Sequence, residues 1–228
     1  MAKLVFDQEN QRFYRLGVNN VVLFVKKADN SGYDDGVAWN GVTSITRSPE
    51  GAEETAVYAD NIKYLSMRSP EELKGTIEAL ESPVEFDVCD GQAEADDTVK
   101  GVKLGQQSRR AFALCYMEKK CVNGNEDYGK LLHIIYGCTA SPTEVPSETI
   151  NESPEASPLS WEFSATKVDV TGHKPTAHVE IDSTVVPEAK WNKIVNTLYG
   201  TDASQGVEAT DPTLLFPDAI IGILREQD

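Results

Sequence analysis

The sequence predicts a mainly β protein: an antiparallel β-sandwich or partly closed barrel, with a flanking α-helix and a long β-hairpin arm. Two observations carry this. Apolar residues alternate with a period of two in one segment after another, whereas a single clear stripe, near residues 188–199, has the three-to-four spacing of a helix. Gly, Pro, Asn and Asp also cluster between the alternating runs, where turns are needed. With 228 residues, 40% of them hydrophobic and 25% charged, the chain can bury a substantial core.

The first strand signal is the apolar run Val21–Val25, stopped by Lys26, Lys27 and the turn-rich residues 29–32. Residues 42–47 and 55–68 read as the two arms of a long hairpin, turning at Ser48-Pro49-Glu50-Gly51. In its second arm Ile62 and Tyr64 share one face and Lys63, Leu65 and Met67 the other. A ribbon apolar on both sides suits either the core of one subunit or a contact with a partner. Residues 76–80 form a further strand. Ser82 as N-cap, Pro83 at the first helical position and Glu85 at the third then open a short helix ending before Gly91. Residues 92–107, polar and acidic, read as a surface loop.

Phe112, Leu114 and Tyr116 alternate in one strand, and Leu132, Ile134, Tyr136 and Cys138 in its hairpin partner. The connection 123–127 reads as too long for a two-residue turn, although it contains Asn-Gly. Prolines 142, 146, 154 and 158 make residues 140–158 a loop or an edge excursion. Leu159, Trp161, Phe163 and Ala165 mark another strand, with Ala177, Val179 and Ile181 as its possible neighbour. Pro187-Glu188 then opens the helix whose stripe is Trp191, Ile194, Val195 and Leu198, stopping at Tyr199-Gly200. Residues 1–200 thus make the β domain. The extension 201–228 carries two apolar patches, 214–217 and 220–224, which need a dock on their own or a neighbouring subunit.

A formal charge of -16 and a pI near 4.6 argue against a conventional nucleic-acid binder or a protein that adheres to anionic membrane. No apolar run approaches the roughly 20 residues of a membrane span. The start lacks the apolar segment and cleavage site of a secretory signal, so an intracellular address is expected. Cys89, Cys115, Cys121 and Cys138 are accordingly expected as thiols, with a Cys115–Cys121 bridge as the minor alternative. No Gly-rich phosphate cradle, HExxH or GxSxG motif is present. His133, His173 and His178 suit hydrogen bonding better than zinc, and adjacent carboxylate pairs such as Asp96-Asp97 suit solvated loops better than acid–base work. No catalytic residue, metal or cofactor is expected. Arg109 and Arg110, with Lys100 and Lys103, form a weak cationic patch suited to phosphate or to intersubunit ion pairs. Trp39 fits an interface anchor and core packing equally well.

Several stretches taken together resemble the major tail (tail tube) proteins of long, non-contractile-tailed bacteriophages of Gram-positive bacteria. These are residues 17–25, 41–45 with Ser48-Pro49-Glu50-Gly51, Tyr58-Ala59-Asp60-Asn61, 75–78, the strand pair 110–139 running on to Ser141, Trp161–Ala165 and the helix around Trp191. The resemblance covers roughly residues 15–200, and the extension from Thr201 departs from it. It implies a tail-tube-like protomer forming hexameric rings that stack head to tail into a conduit for the genome, without catalysis. It implies as partners further copies of the chain, a tape-measure protein, and tail terminator and distal or baseplate proteins. DNA would pass through the lumen without sequence-specific binding, and the address would be the virion tail, with host cytoplasm during assembly. The arm residues expected between subunits are Ile45, Arg47, Tyr58, Ile62, Tyr64, Leu65 and Met67. Trp39, Arg109, Arg110, Leu215 and Phe216 are further interface candidates. The acidic balance suits a bore through which DNA must slide without sticking.

Overall fold

The computed structural model describes residues 4–6, 8, 11–96, 99–145, 147, 149, 156, 158–203 and 208–226. Its largest sheet is antiparallel and eight-stranded, in the order β2 (Val37–Ala38), β1 (Phe13–Val25), β9 (Phe112–Val122), β10 (Asn125–Ala140), β11 (Leu159–Ala165), β6 (Glu72–Ala79) and β3 (Val42–Glu50). The eighth strand, β12 (His178–Asp182), also pairs with β10. Two small sheets are the hairpins β4 (Glu54–Ala59) with β5 (Ile62–Arg68), and β7 (Ala93–Asp96) with β8 (Val99–Leu104). The helices are α1 (Asp87–Asp90), entered from a 3-10 turn at Val84–Phe86, α2 (Glu188–Tyr199) and α3 (Pro217–Arg225).

This is a mixed α/β fold, and it corrects the expected sandwich or barrel: no sheet closes or curls strongly. The cause lies in β10. Its 16 residues hold β9 along one edge and, on the other, first β12 at Leu131–Ile135 and then β11 at Cys138–Ala140. Strands that period alone would divide between two sheets are thereby threaded into one. A second cause is the extension. Its apolar patch 220–224 forms α3, which lies with α2 over one face of the sheet. Trp191, Ile194, Leu198, Ile220 and Ile223 cover Val22, Phe24, Cys115, Ile134 and Tyr136 there. On the other face Leu23, Leu114 and Ile135 pack with Trp39, Ile77, Phe86, Trp161 and Phe163. The unbroken run Val21–Val25 is therefore apolar because alternate side chains enter different cores.

Local turn chemistry corrects several boundaries. Ser48-Pro49-Glu50 continues β3, which pairs with β6 rather than β5, so residues 42–47 and 55–68 are not partners. The hairpin instead turns at Asp60-Asn61, both at positive φ (51° and 62°), as a tight two-residue turn between right-twisting strands requires. Because Glu50 faces Glu72 and Glu54 faces Arg68, β4–β5 extends the β3–β6 pair across a break at residues 51–53 and 69–71. Gly51 (φ 89°) makes that break, and a Cβ on it would lie 2.4 Å from the Pro70 carbonyl oxygen. Within the expected loop 92–107, Ala93–Asp96 and Val99–Leu104 pair as antiparallel strands. The β9–β10 connection is the two-residue turn Asn123-Gly124, since Val122 faces Asn125. β12 pairs with β10 and not with β11. The Ser82 hydroxyl caps nothing; Pro83 stands at the start of the 3-10 turn, and Gly91 (φ 77°) ends α1.

All four cysteines are buried free thiols. Burial pushes the Cys89 and Cys115 thiols up to about 12 and Cys138 higher still.

Candidate functional site

The β4–β5 ribbon leaves the sheet with water on both faces. Tyr58, Ile62, Tyr64 and Met67 are 70%, 62%, 66% and 55% exposed, and Leu65, opposite Val57, is 40% exposed. β-Branched and aromatic residues with a tight turn explain why the segment forms strands. They do not explain its stability, because a two-stranded hairpin with no covering layer is marginal in water. The pairing shifts between Val57 and Tyr58, leaving Tyr64 as an extra, bulged residue on β5. Lys63 pairs with Glu54 across the strands, and the Ser69 hydroxyl accepts from the Glu53 amide at 3.1 Å where the ribbon joins the sheet. Several large apolar side chains thus cluster in water on an extended ribbon.

The other two arm residues lie in the main sheet. Ile45 faces Ile77 and packs against the first core. Arg47 reaches across to β12, where its Nη1 donates to His178 Nε2 at 2.7 Å. His133 Nδ1 lies 3.1 Å from the same nitrogen. The His133 ring is fully buried and stacks between Tyr116 and His178, at centroid distances of 4.8 and 5.3 Å. Its Nε2 makes no hydrogen bond among the described residues, although Glu118 Oε2 is 3.3 Å away. Arg15 pairs with Glu180 at 3.1 Å and sits near Glu118, closing the solvent side of the cluster. Burial above all, then Arg47, holds His133 down to about 3 and His178 to about 4, so both rings are neutral at neutral pH. No spacing in the sequence announces this cluster, since its members come from five strands.

Beyond Arg47, each interface candidate has a contact within its own chain. Trp39 is 2% exposed, donates from Nε1 to the Glu81 carbonyl at 2.9 Å and packs against Phe86 and Trp161. Arg109 donates to the carbonyls of Ala140 and Asp90 at 3.0 and 2.9 Å, tying α1 to β10. The half-buried Arg110 donates its amide to the Val88 carbonyl, and Lys103 pairs with Asp87 at 2.6 Å. The Lys100 side chain lies outside the described residues. Leu215 accepts the Tyr136 hydroxyl on its carbonyl, while Phe216 stacks on Tyr136 and remains 42% exposed. Among the described residues no group of three histidine, cysteine or acidic side chains converges as metal ligands would.

A scan against protein-family models finds no match to the chain, and a search of curated proteins finds none either.

Proposed function

We propose that the chain is a structural subunit that polymerises as stacked hexameric rings into a phage tail tube, the conduit for DNA delivery. The observation that carries this reading is the exposed apolar ribbon, which has no covering layer among the described residues of its own chain and gains one when copies assemble. The sequence stretches quoted above support it independently. The fold does not: the expected sandwich or barrel is replaced by an open sheet with a helical layer, so the reading rests on the ribbon and the motifs. Its partners are further copies of itself, a tape-measure protein, and terminator and distal tail proteins, and its work is mechanical rather than catalytic. A charge of -16 favours sliding of DNA over adhesion.

The test is negative-stain electron microscopy of concentrated protein, with and without neighbouring tail components. Hollow tubes with six-fold ring averages are expected. Six or twelve copies per virion, in place of hundreds, would assign the chain to an end ring. Discrete particles in both samples, with no incorporation into tails, would overturn the reading.

A further inference from the structure

At the root of the ribbon lies a groove of about 1070 Å³ whose charge runs against that of the whole molecule. Its lining includes four cations, Arg47, Arg68, Lys167 and Lys174, and one carboxylate, Glu71. Arg47 and His178 bring the histidine cluster to its wall. Arg68, Lys167 and Lys174 are exposed, and none is paired with a carboxylate of the described residues. Pro49, Pro70 and Leu73 add apolar surface between the charges. A volume at or above the ~300–1,000 Å³ of small-molecule sites suits a peptide segment. Apolar surface set between the cations suits a polypeptide that carries both apolar and carboxylate side chains, which a polyphosphate lacks.

We propose that this groove receives the ribbon tip of a second copy, Tyr58–Ile62, with Asp60 as its carboxylate anchor. The choice of a second copy rests on the assembly reading above; the groove and its chemistry do not. The tip offers an exposed aromatic ring, an exposed aliphatic side chain and an exposed carboxylate within five residues, matching the mixed lining. Its own groove is out of reach. Asp60 lies eight residues from Ala52 along an extended strand, about 25 Å at roughly 3.3 Å per residue. Tip and groove are different surfaces of one chain, so the contact is head to tail, and each copy that donates a tip still offers an empty groove.

The test replaces Tyr58 with a photoreactive benzophenone amino acid, which keeps an aromatic ring at the tip. This protein is mixed with isotope-labelled unmodified chain, irradiated at high concentration and mapped by mass spectrometry. Crosslinks from the tip to residues 47–52, 68–73 or 167–178 of the labelled copy are expected. Lys174→Glu in the receiving copy, with an unchanged melting curve, lowers their yield by roughly tenfold, and Asp60→Lys in the donor restores it. Crosslinks elsewhere, only within one chain, absent, or indifferent to these charges overturn the proposal. Imaging the same samples separates the two readings. Tubes with misplaced crosslinks remove the groove and keep the tube, whereas groove crosslinks in small oligomers keep the groove and remove the tube. Neither crosslinks nor tubes removes both.

Discussion

Replacing Ile62 with Asp separates a ribbon that serves assembly from one that serves the fold. The side chain is 62% exposed, so the isolated chain has already buried little of it. A fully buried isoleucine is worth about 1.5–3 kcal/mol, which leaves about 1–2 kcal/mol for a partner to collect. An aspartate there forfeits that gain and, set against the apolar Pro49, Pro70 and Leu73 side of the groove while Asp60 takes the cations, adds about 1–3 kcal/mol of carboxylate desolvation. The contact weakens by about 3 kcal/mol, roughly a hundredfold in affinity. Unfolding of the isolated chain shifts by less than about 1 kcal/mol, because exposed sites contribute about 0.5 kcal/mol and strand preference spans only about 1 kcal/mol. Urea unfolding by tryptophan fluorescence reads the stability shift, and sedimentation velocity with tube counts reads the loss of association. A loss of more than about 2 kcal/mol in unfolding would show that Ile62 belongs to its own chain's core. Unchanged association at normal stability would remove the ribbon from the contact.

Trp39→Ala takes a 2%-exposed indole and its bond to Glu81 out of the first core, and should destabilise the chain by about 3–5 kcal/mol in urea titrations. Ile220→Ala, at a 2%-exposed position of α3, should cost about 2–5 kcal/mol; a neutral result would detach the extension from the domain. His133 and His178 have folded values of about 3 and 4, below the unfolded value near 6.5, so the unfolded chain binds protons first. Their contribution is full above pH 6.5 and is lost as pH falls from 6.5 through the folded values of about 4 and about 3. The urea midpoint should therefore drop between pH 6.5 and 5, before most carboxylates titrate, and His133→Gln should flatten the slope. A wild-type midpoint level across that window contradicts the burial argument.

Much of the strand content was legible because burial imposes alternation, as at Phe112–Tyr116 and Trp161–Ala165. The helix at Glu188–Tyr199 was legible from its single stripe. Pairing was not. Ser48-Pro49-Glu50-Gly51 has turn composition, yet Pro49 sits in β3, at the sheet edge that β6 leaves open, where a missing amide proton is harmless. Asp60-Asn61 carries the turn through positive φ, a property that Asn shares with many loop positions. The barrel expectation failed because sequence does not reveal that one strand, β10, holds β11 and β12 on the same edge. The ribbon's apolar residues were visible, and their exposure was not: a two-sided core strand would read identically. Arg47, His133 and His178 meet only through tertiary packing.

The four sequestered thiols make the molecule its own reporter of opening. Cys89 marks α1, Cys115 and Cys121 mark β9, and Cys138 marks β10. While the layers stay closed an alkylating reagent finds no sulfur to attack, so each modification waits for the segment around it to open. The order in which the masses climb under mild denaturant is then a clock of which part lets go first. Cys115, under the helical layer, times the parting of α2 from the sheet, and Cys89 times the opposite side. Run once on free chains and once on whatever they assemble into, the same clock reveals which layer assembly locks.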